Sequence, residues 1–408
     1  MLPRRASKGS CSLVLAYLAA ACSKPPATAG SFTPESAAPT SATPVAAEAA
    51  SPSAAAPAAA ANSLARKYAP FFPIGAAVNS ETLHTHADLL AQQFDSITAE
   101  NEMKFESLEK TEGKFDYASA DEMVAFASAH GMKVRGHNLV WHRQTPDWVF
   151  KDASGGDASK ELLLARLKNH ISSVVGHFKG KLYAWDVVNE AIMDDGKDRT
   201  ESEAEPDQRS KWHAILGTSY IAAAFRFAHE ADPAAKLFYN DYRNYIPAKR
   251  DAIYQMLKQL LAEGVPIHGV GLQCHLAIAP SQDPGNHAYY QTVENLEKAI
   301  ELYASLGLDV QITELDMSVY APGGKYTPDQ FYKATTLPPA LLEEQAARYG
   351  AFFELFRKHK DQITGVTFWG IADDRTWLST FKSGRQDFPL LFDVNHLPKP
   401  AFQRVMDF

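Results

Sequence analysis

Residues 64–408 predict a single α/β domain, a closed (β/α)8 TIM barrel, and three observations carry that prediction. Eight short apolar runs read as strands buried on both faces. Stretches of helical period separate them, several stopped by glycine or followed by proline. Polar and titratable residues gather where the runs end, and the carboxyl ends of the strands are where such a barrel builds its site. A doubly wound open sheet is the architecture that the same alternation would also permit.

The chain does not begin with the barrel. Arg4, Arg5 and Lys8 form a basic head, residues 13–21 an apolar run, and Cys22 follows Ala19, Ala20 and Ala21. That is the pattern of a secretory signal, and the run is too short to span a bilayer. It also resembles a bacterial lipoprotein signal, with Ala19 where leucine is usual and Leu18 one place earlier. Residues 1–22 are therefore expected to direct export, with Cys22 as a lipidation site and anchor to a membrane, the rival being ordinary cleavage and release. The expected location is the cell surface or outer membrane in the first case and the periplasm or medium in the second. Residues 23–63 are rich in Ala, Pro, Ser and Thr and read as a disordered tether. Of Cys11, Cys22 and Cys274 only the last falls in the globular part, so no internal disulfide is expected there and the fold must stand on its core.

The strand-like runs occupy residues 72–79, 96–101, 133–141, 183–190, 236–242, 269–275, 309–316 and 365–370. The helical stretches between them include 121–130, 161–178, 213–231, 249–263, 292–306 and 341–358, with Gly131, Gly264 and Gly307 as stops. With 408 residues, 46% of them hydrophobic, the chain can bury a large core. A net charge of −8 leaves no basic surplus to neutralise phosphates, which argues against a nucleic-acid partner. The histidines lack the spacing of a catalytic zinc site, and the glycines at Gly269 and Gly271 lack the third member and the helix of a dinucleotide site. No metal and no cofactor is expected, and a monomer is.

Two runs stand apart. WDVVNEA, 185–191, and QITELD, 311–316, each deliver a glutamate, Glu190 and Glu314, at the end of a strand-like segment. Glycosidic bond cleavage needs such a pair, one carboxyl to protonate the leaving oxygen and another to attack or assist at the sugar carbon. Around them the strand ends offer Glu100, Asn101 and Lys104, then His137 and Trp141, then Asn189, Gln273, His275, Asp316 and Trp369.

In order along the domain, the segments AENEMK, VRGHNLVWHRQTPDW, WDVVNEA, GLQCHL and ITELD, and the stretch from Trp369 to Trp377, resemble glycoside hydrolase family 10, the endo-1,4-β-xylanases of clan A. The resemblance implies a retaining double displacement on xylan or xylo-oligosaccharides, with Glu190 as acid/base and Glu314 as nucleophile. Asn189 would contact the sugar 2-hydroxyl. Glu100, Asn101, Lys104, His137, Trp141 and Gln144 would line the glycone side with Gln273, and Trp369 and Trp377 would form the floor and lid. DDRTWLST, 373–380, departs from the commonest family tail, with Leu378 where an arginine often follows the tryptophan. The spacing of His275 and Asp316 lets the first donate to Glu314 and the second hold the first. A neighbouring negative charge is expected to raise the Glu190 pKa.

Overall fold

A computed structural model describes residues 63–408 apart from 201, 203, 204, 323, 382 and 383. The expected signal, Cys22 and the tether lie outside the described residues, except that Ser63, expected in the tether, belongs to the fold. Its Oγ accepts from the Arg66 amide and caps the helix Leu64–Tyr68.

Among the described residues the strands are β1 (Ile74–Val78), β2 (Ser96–Ala99), β3 (Lys133–Val140), β4 (Ala184–Asn189), β5 (Lys236–Asp241), β6 (Gly269–Leu272), β7 (His275–Ala277), β8 (Asp309–Ser318) and β9 (Ile363–Phe368). Every pairing is parallel. The order runs from β6 through β1 to β9 and β8, and a further pairing of β6 with β8 closes the ring. Eight staves thus make the barrel expected from the alternation, and β7 is a short rung on the distal half of β8. An open sheet is ruled out by that closing pair.

The sequence run 269–275 is not one strand. After Leu272 the chain leaves the ladder, Cys274 takes a left-handed φ of 59°, and pairing resumes at His275 opposite Asp316. The apolar pattern continues through the break because Cys274 is buried, so periodicity alone could not reveal it. The stretch 213–231 is likewise two helices, Lys211–Leu216 and Ser219–Ala231, separated at Gly217 with φ 61°, a conformation glycine adopts without a Cβ clash. Helices Ala87–Gln93 and Pro400–Met406 were not among those expected.

The strands are buried nearly end to end, as staves covered by helices outside and by side chains within require. Two glycines permit the close packing that sets the site. A Cβ on Gly136 would fall 2.1 Å from the Trp185 ring, and one on Gly271 would fall 2.2 Å from Asn240 Oδ1. Inside the barrel, below the mouth, Arg135 is paired with Asp186 and donates from Nε to Gln311 Oε1 at 3.1 Å. Burial pushes the Asp186 carboxyl up, but Arg135 and His137 outweigh it and keep it below the ordinary carboxylate range. The same carboxylate lies 3.0 Å from His137 Nδ1 and so fixes that ring.

Candidate active site

Glu190 is the first residue beyond β4 and holds a φ of 59°. A glutamate in this region is uncommon and costs of order 1–3 kcal/mol, so its surroundings must over-determine it. They do: its amide donates to Asn240 O at 2.9 Å and its carbonyl accepts from Arg199 Nε at 2.8 Å. The side chain is thereby aimed into the mouth, where Oε2 accepts from Trp141 Nε1 at 2.9 Å and Oε1 from Gln273 Nε2 at 3.0 Å.

Glu314 sits in mid-strand on β8, 5% exposed, with its amide bonded to Gln273 O. Its Oε1 accepts from Asn240 Nδ2 at 2.8 Å, and its Oε2 lies 3.2 Å from His275 Nε2. His275 Nδ1 in turn faces Asp316 Oδ2 at 2.9 Å, and Trp377 Nε1 donates to that same oxygen at 2.7 Å. An imidazole between two carboxylates must donate from both nitrogens, which requires the cation. Burial opposes the charge, yet Asp316 and Glu314 overcome it and lift the His275 pKa to about 10.

A chain of amides joins the two glutamates. Asn240 Nδ2 donates to Asn189 Oδ1 at 2.9 Å as well as to Glu314, and Asn189 Nδ2 lies 3.4 Å from Glu190 Oε1. Asn240 cannot flip, because the Glu314 carboxylate facing its Nδ2 can only accept; its Oδ1 accepts in turn from the Thr313 hydroxyl at 2.6 Å.

The expectation of a raised Glu190 pKa is overturned. Burial does push it up, but the charges of His142 and Arg199 and the hydrogen bonds from Gln273 and Trp141 hold it down at about 2. Burial keeps His142 down as well, at about 3, so at higher pH that ring is neutral and Arg199 with the two donors supplies the pull. The donors converge from just beyond β3 and from the break after β6, positions that the neighbourhood of Glu190 in the sequence does not contain.

On the far wall Lys104 Nζ donates to Asn101 Oδ1 at 3.1 Å and to Gln144 Oε1 at 2.9 Å, and lies 4.9 Å from the Trp141 ring centre. Burial lowers its pKa, and Glu314, Glu100 and Glu190 oppose that. Asn79 Nδ2 holds Glu100 Oε2 at 2.9 Å. Trp369 is 7% exposed, edge-on to His137, and the Trp377 ring is 4.9 Å from that of His275. One cavity of about 630 Å³ is lined by every expected site residue in the described part except Asp316, which stands behind His275 and Trp377.

The same cavity takes Arg143, Met193, Asp194, Gln208, Tyr242, Arg243, His287 and Gln291, none of which was expected. They come from loops and, for Gln208 and His287, from short 3-10 turns, where no periodicity marks an inward position. Arg199 was missed too, although it is 1% exposed and braces Glu190. An arginine nine residues beyond the glutamate gives no signal of that in a sequence.

A family model described as Glycosyl hydrolase family 10 matches residues 63–408. The chain belongs to that family. Among relatives of this glycoside hydrolase, endo-1,4-beta-xylanase B of Paenibacillus barcinonensis is 46% identical over 346 residues, covering 84% of this chain and 97% of the relative. The beta-1,4-xylanase of Dictyoglomus thermophilum is 45% identical, with 85% and 91% covered. Among solved structures, a xylanase of Paenibacillus barcinonensis complexed with a conduramine derivative superposes with a TM-score of 0.76 at 44% identity, over 85% of this chain and 98% of that one. A family 10 endoxylanase retrieved from a sugarcane soil metagenome gives 0.78 at 42%, with 85% and 99% covered.

Proposed function

We propose that this glycoside hydrolase is a retaining endo-1,4-β-xylanase in which Glu190 is the acid/base and Glu314 the nucleophile. The observation that carries the assignment is the contrast in what holds each carboxylate. Glu314 has a cation, His275, on one oxygen and an amide on the other, and so is held oriented for attack on the anomeric carbon. Glu190 has only neutral donors at its carboxyl, Trp141 and Gln273, which a proton and a leaving oxygen can replace. In the first step the Glu190 proton passes to the glycosidic oxygen while Glu314 forms the ester; in the second Glu190 takes a proton from water, which displaces Glu314 from the sugar. Asn189, one residue from the acid/base, is set to meet the 2-hydroxyl, where a hydrogen bond strengthens as charge develops on the ring.

Preference for xylan over glucan rests on Trp369 and Trp377. A ring lacking the hydroxymethyl group fits beside an indole that would obstruct glucose. Linear xylan, arabinoxylan, cellulose and an aryl xyloside, with products resolved by size, test this; cutting of cellulose alone, or of neither polymer, sinks it. For the acid/base, Glu190→Ala with azide and an activated aryl xyloside is expected to yield a β-xylosyl azide, and no such product removes Glu190 from the role.

We also infer export, with the basic head, apolar run and Cys22 as its basis, and lipid attachment at Cys22. Intact mass of the exported protein and of its Cys22→Ser variant decides the matter; an unmodified Cys22 refutes the anchor. Monomeric behaviour is checked by light scattering.

A further inference from the structure

A second cluster, sharing no residue with the cavity, brings ligand-type atoms of His86, Asp374 and His396 within 4.8 Å of one another, Asp374 coming from the loop that follows β9. His86 stands where the helix Thr82–Thr85 gives way to Ala87–Gln93, its side chain 1% exposed. Asp374 lies three residues before Trp377, and His396 occupies the tip of a tight turn at φ 63°. His86 Nε2 is 3.0 Å and His396 Nε2 3.5 Å from one and the same oxygen, Asp374 Oδ1, with the two rings 4.1 Å apart.

Of the two spacings to Asp374, the 3.5 Å one equals what a shared cation demands and the 3.0 Å one falls a few tenths of an ångström below it. Bonds of about 2.0–2.1 Å from zinc to imidazole nitrogen and carboxylate oxygen, at tetrahedral angles, put neighbouring ligand atoms roughly 3.3–3.5 Å apart. The outer shell is present too. His86 Nδ1 is 2.8 Å from Thr85 Oγ1, and that hydroxyl is 3.1 Å from the Glu81 carbonyl. With the hydroxyl proton given to the carbonyl, Nδ1–H donates to Thr85 and the Nε2 lone pair faces Asp374, the orientation a ligating histidine needs. A second group, Glu297, Glu301 and His359, lacks this character, since Lys358 Nζ already sits 2.7 Å from Glu297 Oε1.

We propose that His86, Asp374 and His396 form a site for one divalent cation of the zinc type, two imidazoles and a carboxylate with a solvent oxygen completing four, which fastens the loop bearing Trp377 to the segment after β1. The test uses protein prepared without a histidine tag, freed of metal by chelator and returned to Zn²⁺ or Co²⁺. One equivalent of Co²⁺ is expected to give the strong visible absorption of a four-coordinate ion, and Zn²⁺ to raise Tm by roughly 2–5 °C. His396→Asn, which keeps a residue tolerant of the left-handed backbone, and Asp374→Asn are each expected to weaken binding at least tenfold, while Glu297→Gln leaves it unchanged. No band and no rise in Tm with the parent protein overturns the site. So does binding that survives both His396→Asn and Asp374→Asn, or that is lost in Glu297→Gln.

Discussion

The end of β4 and the middle of β8 each place a glutamate in one cavity, and they do so by opposite means. Glu314 is a regular strand residue, its backbone in the ladder and its carboxylate fixed by a histidine cation that Asp316 and Trp377 hold in turn. Glu190 has left the ladder, sits in a left-handed conformation and meets only neutral donors at its carboxyl. The difference teaches where rigidity is needed. A nucleophile must stay charged and in line throughout, whereas an acid/base must gain and lose a proton and is better served by donors that can be exchanged.

The sharpest way to break the comparison is to take the charge from β8. Glu314→Gln is expected to abolish turnover of xylan and aryl xylosides alike, because both need the ester, and azide is not expected to restore a retained product. Glu190→Ala should be milder and dependent on the leaving group, with a loss of about 10²–10⁴-fold on xylan and far less on an aryl xyloside whose phenolate leaves unaided. Rates measured on both substrates for both variants check the pair; equal losses on the two substrates in Glu190→Ala would mean that the two regions do not divide the work.

The barrel and the residues gathered at its mouth are legible in the sequence, and the remainder has physical reasons not to be. Alternating apolar runs betray a barrel because parallel staves are buried on both faces, and Glu314, His275 and Asp316 lie on or beside such runs. The break at Cys274 left no mark because the residue that turns the chain is itself buried and apolar. Tyr242, Arg243 and His287 reach the cavity, and Arg199 reaches the Glu190 carbonyl behind it, through the conformation of connecting segments, which no period encodes. The state of Glu190 depends on donors just beyond β3 and β6, which the folded sheet and not the neighbouring sequence brings to the end of β4.

His275 offers a thermodynamic version of the contrast. Its pKa in the folded protein is raised to about 10 from an ordinary 6.5, so its contribution is fully present below pH 6.5 and is lost as pH rises toward 10. At about 1.4 kcal/mol per pH unit the whole shift would be worth roughly 5 kcal/mol; with the ring 21% exposed, a few kcal/mol is expected. Denaturant unfolding of the parent protein and of His275→Asn between pH 6.5 and 10 measures it. The parent should lose stability relative to the variant across that window, and parallel curves would show that His275 is not the cation holding Glu314.

The smallest effect lies on the β4 side and concerns a single N–H. Trp141→Phe keeps a ring beside Lys104 but removes the donor to Glu190 Oε2. That bond favours the carboxylate, so its loss moves the Glu190 pKa upward, by about one unit if a hydrogen bond to a charged group is worth roughly 1.5 kcal/mol. The acid must be protonated for the first step, and the alkaline limb of kcat/KM should therefore move to higher pH by that amount, with the acid limb in place. Gln273→Leu removes the donor to the other oxygen and should shift the limb the same way. A limb that moves downward, or that stays fixed in both variants, would show that these two donors do not set the charge of Glu190 and that the backbone brace from Arg199 does.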